Sequence, residues 1–503
     1  MKKKNWQLYY PILLGIYAAV GLVGVNISQM VLSAGVRSIL VAAIFSLAVY
    51  ALFCWRIKDE YKAALLCAWF ILFFFAYGHL YGSVEGVKIL GVVVGRHRFI
   101  FPLWLVIFGL GAWWIYKRAQ KLESLNRALN IVSIILLVIP VIQIGTFEWH
   151  RHRSVTGTGI VGTTSGLQGV PSLHKEQLPD IYYIILDGYP RQDMLLKYHH
   201  FDNSAFIQQL EAVGFYIPSC SQSNYAMTDL SLASSLNMNY LQGFNQNVKA
   251  VDLTDRIINS EARQFLQGLG YNLVSFDSGI WFTEIQDADY YISKDRPIFS
   301  SSFDFTRLSE FEVLFVRTTV LRLVEESKSA WLNTLLQNPR KESYERILFE
   351  FDQLQSTPSL PVPKFVFIHI LAPHSYPFIF NADGAFELSS SVDPALGNEL
   401  EFLNKRTLEA VQTIIAHSKI PPIIIIQGDH GLDTEVRMAN LIAYYFPNGG
   451  AKVLYPTITP VNSFRLVFNT YFGQNLPLLP DVSYYSSYED MYNFAEVKYP
   501  CNP

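Results

Sequence analysis

Metal-binding side chains follow two apolar runs in the second half of the chain. Asp187 comes directly after the run at 181–186, and Asp429 and His430 come shortly after a second run at 423–426. An aspartate after a strand is common in turns, but an adjacent Asp-His pair is not typical of a turn. Carboxylate and imidazole ligands together suit Zn²⁺ or Mn²⁺. The pattern therefore predicts a metal site of mixed oxygen and nitrogen ligands.

A third apolar run, 365–371, contains one histidine and is followed by another. His369 lies within the run, where a buried histidine satisfied by its neighbours is the simpler interpretation. His374 follows a proline just beyond the run. We therefore predict that His374 contacts a substrate.

A threonine stands where a polar segment, 223–227, passes into a helical pattern of small residues at 228–236. Thr228 is predicted to lie at the start of this helix, where free N–H groups and the helix dipole favour an anion. A helix cap alone would also explain a threonine here. If a cation is bound nearby, however, coordination can ionise the hydroxyl and make it a nucleophile.

These residues need a framework that brings them together. Continuous apolar runs separated by amphipathic patterns predict a parallel sheet covered by helices on both faces. In such sheets ligands bind beyond the carboxyl ends of the strands, so the candidate residues are expected at one edge. The apolar runs lie at 181–186, 271–276, 365–371 and 423–426, and the helical patterns at 203–213, 261–269, 340–354 and 401–417.

The first 150 residues have a different character. The whole chain of 503 residues is 50% hydrophobic and only 16% charged, and the apolar excess is concentrated here. Each of five stretches approaches the roughly 20 residues that cross a bilayer. They lie near 8–27, 37–55, 63–80, 99–116 and 129–147. We predict an N-terminal bundle of about five transmembrane helices.

Basic residues predict the orientation of this bundle. Lys and Arg are concentrated at 2–4, 56–62 and 117–127, and such loops stay on the cytoplasmic side. Five spans then place the N-terminus in the cytoplasm and the second half of the chain outside. The prediction is a multi-pass protein of the plasma (inner) membrane with an extracytoplasmic domain, periplasmic or extracellular.

The chain is therefore divided into a transmembrane anchor at 1–150, a flexible linker at 151–178 that is rich in Gly, Ser and Thr, and a folded domain at 179–503. A net charge of −3 provides no basic field of the kind that nucleic-acid binders carry. We predict the lipid bilayer as a partner and exclude nucleic acid.

Cys220 and Cys501 are the only cysteines of the exported part. Because that compartment is oxidising, they are a candidate disulfide pair, and free thiols remain the alternative.

Four motifs, at 179–188, 223–236, 365–374 and 428–431, resemble those of the alkaline phosphatase superfamily. The resemblance is to its membrane-bound sulfatase-like branch, which includes lipoteichoic acid synthases and phosphoethanolamine transferases, and it spans most of the exported half. It implies an alkaline-phosphatase-like α/β sandwich domain with a mostly parallel sheet.

The resemblance also implies a set of functional residues. Thr228 would form a covalent phosphoryl-enzyme, and His374 would contact the substrate. We also predict that His374 protonates the leaving oxygen and that Asn224, in the same motif as Thr228, contacts the substrate. One divalent metal ion is implied, Zn²⁺ or Mn²⁺ before Mg²⁺ or Ca²⁺. Its ligands would be Asp187, Thr228, Asp429 and His430.

The chain departs from the sulfatase pattern in two places. Residues 228–232 read Thr-Asp-Leu-Ser-Leu instead of the C/S-x-P-x-R motif that yields formylglycine, and Asp187 is not one of a pair. No separate Asp-x-x-x-His supplies a second metal site, so a single metal is expected.

We therefore predict a metal-dependent enzyme of the cell envelope that uses Thr228 to transfer or hydrolyse a phosphodiester. The donor would be a lipid head group and the acceptor a glycan or another envelope component. One alternative is a hydrolase of sulfuric or phosphoric esters acting on lipid or glycan. A second is a catalytically inactive membrane scaffold. The sequence indicates neither the acceptor nor an oligomeric state.

Overall fold

The computed structural model divides the chain into two compact units, which we describe separately. The first comprises 1–150 and 295–340, and the second comprises 151–294 and 341–503. Within them the structure describes residues 8–27, 32–85, 87–89, 92–156, 167, 177–243, 250–294, 308–324, 330–374, 378–389, 392–432, 437–487, 490–498 and 501. The predicted linker, 151–178, lies largely outside the described residues, although helix α5 continues into it as far as Thr156.

Helices and strands alternate through the second unit, whereas long helices dominate the first. The helices are α1 Tyr10–Asn26, α2 Leu32–Arg56, α3 Glu60–Val84, α4 His97–Lys117, α5 Glu123–Thr156, α6 Gln192–His199, α7 Ser204–Ala212, α8 Thr228–Leu236, α9 Ala250–Ile258, α10 Glu261–Gly268, α11 Glu310–Thr318, α12 Ala330–Ser356, α13 Val392–His417 and α14 Pro460–Phe472. The strands are β1 Lys88–Ile89, β2 Val92–Val93, β3 Ile181–Leu186, β4 Asn272–Phe276, β5 Tyr290–Ile292, β6 Lys364–Ile370, β7 Phe378–Phe380, β8 Phe386–Ser389, β9 Ile423–Gly428, β10 Ile442–Tyr445, β11 Ser483–Ser487 and β12 Asp490–Val497.

The predicted membrane spans are all helical. Four helices, α2 to α5, are long and apolar enough to cross a membrane by length and composition, and α1 is a shorter apolar helix of 17 residues. The expected N-terminal bundle of about five apolar helices is confirmed.

A segment from the second half of the sequence belongs to this first unit. Residues 308–324 form α11 and a 3₁₀ turn, Val320–Val324, and Ser309 begins α11 with a capping box to Glu312. The segment packs on the helices through Phe311 and Phe315, which belong to their apolar clusters. The sequence prediction placed this segment in the exported domain.

A six-stranded sheet organises the second unit, in the order β10-β9-β3-β6-β4-β5. All neighbours are parallel except β10, which runs antiparallel to β9. The prediction of a mostly parallel sheet is confirmed. Strands β9, β3 and β6 lie side by side in this sheet. Each is buried along its whole length, as is usual for strands covered on both faces.

Helices cover both faces of this sheet. In β3, Ile181, Tyr183 and Ile185 join one apolar cluster, and the alternate residues join a second. The first cluster includes residues of α8, α9, α10 and α14, and the second includes residues of α6, α7, α12 and α13. Because successive side chains of a strand point to opposite faces, this arrangement explains why the strands are apolar throughout.

A disulfide joins Cys220 to Cys501. The hairpin of β11 and β12 precedes Cys501 in the chain, and Tyr484 of this hairpin donates its backbone N–H to the carbonyl of Asn224, at 2.9 Å. The C-terminal tail is thereby held against the segment that leads to Thr228.

Candidate metal centre

The three central strands bring the candidate residues to one edge of the sheet. Leu186, the last residue of β3, pairs with Gly428 of β9 on one side and with Ile370 of β6 on the other. The residues that follow each strand must therefore meet. Asp187 and Asp429 leave the sheet side by side, as expected for carboxyl ends of parallel strands.

Two glycines allow the chain to turn tightly at this edge. Gly188 has a φ of +70°, and a Cβ there would lie 2.8 Å from Cβ of His374. A Cβ on Gly428 would lie only 2.3 Å from the carbonyl oxygen of Tyr189. Both positions exclude a side chain, because the turn after β3 packs directly on its neighbours.

Thr228 is the first residue of α8, as predicted. Its Oγ1 lies 3.3 Å from Nε2 of His430. The helix is fixed to the strand end by Ser231, whose hydroxyl donates to the carbonyl oxygen of Asp429 at 2.8 Å. A helix N-terminus and a hydroxyl are thereby brought next to the Asp-His pair.

The distances among these side chains are close to those between the ligands of a tetrahedral ion. Nε2 of His430 lies 3.4 Å from Oδ2 of Asp429 and 4.0 Å from Oδ1 of Asp187. Ligands roughly 2.1 Å from a tetrahedral zinc ion are separated from one another by roughly 3.4 Å. Among the described residues, two groups of three each bring one ligand atom per residue within 4.8 Å of the others. They are Asp187 with His374 and His430, and Asp187 with His369 and Asp429.

Two buried ligand atoms in this cluster have no hydrogen-bond partner among the described residues. Oδ1 of Asp429 accepts from the backbone N–H groups of Gly188 and His430, but its fully buried Oδ2 accepts from none. Nε2 of His369 likewise has no hydrogen-bond partner among the described residues. A buried polar atom without a partner costs about 1–3 kcal/mol, so the residues fit a cation that would satisfy both atoms.

His369 is buried in β6, as predicted, but its surroundings are polar. Its Nδ1 lies 3.1 Å from the hydroxyl of Thr283, and its Nε2 lies 3.6 Å from Oδ2 of Asp187. A hydrogen bond at one ring nitrogen orients the other, as is usual in metal-binding histidines. His369 is therefore a further candidate ligand that the sequence reasoning left out.

The charges in the cluster are set by its geometry. Burial would raise the pKa of Asp187, but the neighbouring imidazoles of His369 and His374 outweigh it and hold that pKa well below its ordinary value. Burial opposes a charge on His374, yet Asp187 raises its pKa. Burial lowers the pKa of His430, which favours the neutral imidazole that a metal needs.

The pKa of Asp229, the residue next to the candidate nucleophile, is also shifted in this cluster. Burial first, and then the charge of Asp429, raise its pKa to about 6, while the backbone N–H of Leu230 opposes the shift. The helix N-terminus therefore carries an additional carboxyl group whose pKa is about 6.

Arg437 is a cation that the sequence reasoning missed. Its Nη2 lies 3.1 Å from Nε2 of His430, and its Nε donates to the carbonyl oxygen of Ala226. It follows the Asp-His pair by a few residues and belongs to no motif, so only the folded chain places it here.

Asn224 is fully engaged within the protein. Its Oδ1 accepts from the backbone of Val461 at 2.8 Å, and its Nδ2 donates to the carbonyl of Val482 at 2.9 Å and to the Tyr240 hydroxyl at 3.2 Å. The side chain is completely buried. We therefore do not include Asn224 in the proposed site.

Neither a family model nor a curated protein matches the chain, but solved structures do. The periplasmic domain of EptC from Escherichia coli, solved in complex with Zn, is 11% identical with a TM-score of 0.40, over 63% of this chain and 93% of its own. Lipooligosaccharide phosphoethanolamine transferase A from Neisseria meningitidis, an integral membrane protein, is 10% identical with a TM-score of 0.38, over 92% of this chain and 94% of its own.

The lipoteichoic acid synthase LtaP from Listeria monocytogenes is also similar, at 11% identity and a TM-score of 0.37, over 64% of this chain and 81% of its own. With identities and TM-scores this low, these likenesses carry no argument about activity, and the case for a function rests on the site itself. The chain is thus similar to solved structures from the two groups of enzymes that its motifs resemble.

Proposed function

We propose that this protein is a membrane-anchored, metal-dependent phosphotransferase in which Thr228 attacks a phosphodiester. One observation carries the proposal. The hydroxyl of Thr228, at a helix N-terminus, lies 3.3 Å from His430. In the same cluster, buried ligand atoms of Asp429 and His369 have no hydrogen-bond partner among the described residues. A structural role for these groups would leave that cost unexplained.

Four residues would hold the metal ion, Asp187, Thr228, Asp429 and His430, with His369 as a further candidate. A divalent ion bound there would supply Lewis-acid chemistry, lowering the pKa of the Thr228 hydroxyl and offsetting charge on the phosphoryl oxygens. The backbone N–H groups at the start of α8 are positioned to stabilise the same oxygens.

The transfer would proceed in two steps. First, Oγ1 of Thr228, which has already lost its proton to solvent, forms a bond to phosphorus while the bond from phosphorus to the leaving oxygen breaks. His374 would give this oxygen a proton, since its Nδ1 lies 3.1 Å from Asp187, its pKa is raised and its side chain is 37% exposed. Second, an acceptor hydroxyl attacks phosphorus, the bond to Thr228 breaks, and His374 recovers a proton from the acceptor.

The five apolar helices of the same chain support a lipid-linked donor. A site tethered to a bilayer meets lipid head groups at high local concentration. A lipid phosphodiester as donor and a glycan or other envelope hydroxyl as acceptor are therefore the proposed substrates.

The proposal can be tested on the full chain in detergent with bis(p-nitrophenyl) phosphate and with vesicles of phosphatidylethanolamine or phosphatidylglycerol as donors. Mass spectrometry after rapid acid quenching should find a phosphoryl adduct on Thr228. The adduct should be absent from Thr228→Ala and present, though reduced, in Thr228→Ser. Adding isotope-labelled glycerol as an acceptor distinguishes a transferase from a hydrolase, because only a transferase places the phosphoryl group on the labelled glycerol.

Thr457→Ala is the matched control, because Thr457 is exposed and lies outside the cluster. It should form the adduct as the wild type does. Equal turnover by Thr228→Ala and the wild type would show that Thr228 is not the nucleophile. The absence of turnover and adduct with every donor, in a metal-loaded protein, would favour a scaffold.

A further inference from the structure

A cavity of about 570 Å³ lies between the end of α3 and the segment formed by α11 and the 3₁₀ turn after it. Its lining combines the basic side chains of Arg317 and Arg322 with the apolar side chains of Leu22 and Leu314. All of these residues belong to the first unit. Cavities of this size commonly bind small molecules.

Two glycines of α3 form one wall. Gly78 and Gly82 are four residues apart and so lie on the same face of the helix. A Cβ on Gly78 would lie 1.9 Å from the carbonyl oxygen of Arg317, and a Cβ on Gly82 would lie 3.3 Å from Nη1 of Arg322. Their lack of side chains lets the backbone of the segment contact the helix and places both arginines beside it.

Arg322 is held in position before any ligand binds. Its Nη2 donates to Glu85 at 2.7 Å, its Nη1 donates to the carbonyl of Gly78 at 3.3 Å, and its guanidinium lies 4.7 Å from the centre of the Tyr81 ring. The Arg322 side chain is only 20% exposed, whereas that of Glu85 is 54% exposed. An ion pair with so exposed a partner is weak, so an incoming anion can share the guanidinium.

The cavity favours an anion with an apolar tail. Its lining includes two arginines, and a guanidinium binds phosphate oxygens in a planar, bidentate manner. The cavity lies at the last two turns of a membrane helix, which is the depth of lipid head groups. Leu314 and Leu321 of the segment are exposed there, as expected for a surface in contact with lipid.

We propose that this cavity binds the phosphate group of a membrane phospholipid. Arg317 and Arg322 contact the phosphate, and Leu22 and Leu314 contact the start of the acyl chains. The site involves none of the proposed metal ligands, so lipid binding here does not depend on the proposed phosphotransferase activity.

The test measures binding of dioctanoyl phosphatidic acid to the full chain, delipidated in detergent, by native mass spectrometry. The wild type should bind one molecule per chain at a concentration where Arg317→Gln/Arg322→Gln binds about tenfold less. Arg96→Gln/Arg98→Gln is the matched control, because it removes the same charge from the exposed start of α4. It should bind as the wild type does.

Dioctanoylglycerol, which lacks the phosphate, should bind at least about tenfold more weakly than the phosphatidic acid, and inorganic phosphate should not displace the lipid at equal concentration. Ser83→Phe, which fills the cavity without removing a charge, should also weaken binding and provides a second variant should the arginine pair not fold. Equal binding by the wild type and both cavity variants would overturn the proposal. Equal binding of dioctanoylglycerol would overturn the phosphate contact, and displacement by inorganic phosphate would overturn the assignment to a lipid.

Discussion

The two ends of the central strands differ in whether their buried ionisable side chains have hydrogen-bond partners among the described residues. At the amino ends, Asp180 precedes β3 and Lys364 begins β6, and both are almost fully buried. Oδ2 of Asp180 lies 2.6 Å from Nζ of Lys364, and its Oδ1 accepts from the backbone of Lys364. At the carboxyl ends, Asp429 and His369 are equally buried, yet each has one atom without a partner among the described residues.

This difference distinguishes a self-contained ion pair from the proposed metal site on the same three strands. Burial raises the pKa of Asp180 although Lys364 opposes the shift, so even a well-paired buried ion pair is expensive to form. It is nonetheless complete without a ligand. The carboxyl ends are incomplete, and an incomplete buried cluster persists where binding or catalysis requires it.

The largest effect is expected at the carboxyl ends. Asp429→Asn keeps the oxygen that accepts two backbone N–H groups but removes a metal ligand charge, so activity should fall roughly a thousandfold. Without metal, the same variant should unfold at a higher temperature than the wild type, with a gain of about 1–2 kcal/mol from losing a buried charge. Turnover by the metal-loaded full chain measures the first effect, and thermal unfolding of the metal-free full chain measures the second.

Asp383→Asn is the control for this variant, since Asp383 lies exposed in a turn. It should change neither quantity. Destabilisation of the metal-free protein by Asp429→Asn would mean that this carboxylate is satisfied after all.

The opposite outcome is expected at the amino ends. Lys364→Met leaves Asp180 buried without its partner, so the free energy of unfolding should fall by about 3–5 kcal/mol. Metal content per folded chain should not change. Thermal unfolding of the full chain measures the loss, and Lys405→Met, at an exposed position of α13, should leave it unaffected. A small loss for Lys364→Met would show that the pair does not stabilise this edge.

A steric change tests the turn that aligns the two acids. Gly428→Ala places a methyl group 2.3 Å from a backbone oxygen, so the turns must separate at a cost of about 1–3 kcal/mol. Metal affinity should weaken with it, because Asp429 is the next residue. Gly268→Ala is the control, since nothing lies within 4 Å of its added Cβ, and it should be neutral or slightly stabilising. Unchanged metal affinity in Gly428→Ala would argue against a need for this close approach.

A buried acid away from both edges gives the smallest effect. Both carboxyl oxygens of Glu350 lack a partner among the described side chains, and burial raises its pKa well above the ordinary value. The folded state therefore retains a proton that the unfolded state loses above about pH 4.3, so stability declines as pH rises from there toward the raised pKa. Glu350→Gln should remove this decline. It should raise the free energy of unfolding more at about pH 8 than at about pH 5, by roughly 1 kcal/mol or more, as thermal unfolding at the two pH values would measure.

Glu387→Gln is the control for this substitution, since Glu387 is exposed on β8. It should follow the wild type at both pH values. A stabilisation by Glu350→Gln that is larger at acid pH would contradict the assignment of a neutral Glu350.

The sequence predicts much of this edge because strand burial and strand direction are local signals. Residues 181–186 are predicted as a strand with the bounds that the structure gives, and the rule that parallel carboxyl ends meet is enough to place Asp187 near Asp429. The start of α8 at Thr228 follows from a change in residue type at that point.

The remaining features depend on the folded chain. His369 lies inside an apolar strand, and its role depends on which face and which neighbours it meets, which include Thr283 from a distant loop. Arg437 lies in a turn at 437–438 and belongs to no motif. The packing of 308–324 on the membrane helices requires the pair of glycines on α3, and glycines at that spacing are common in apolar helices.

Metal content of the full chain, measured by mass spectrometry after purification and after reconstitution with Zn²⁺ or Mn²⁺, tests the central claim most directly. The account predicts about one divalent ion per chain in the wild type, lost in Asp429→Ala, weakened in Thr228→Ala and retained in Asp383→Asn. The absence of bound metal from the wild type after reconstitution, or its full retention in Asp429→Ala, would contradict it.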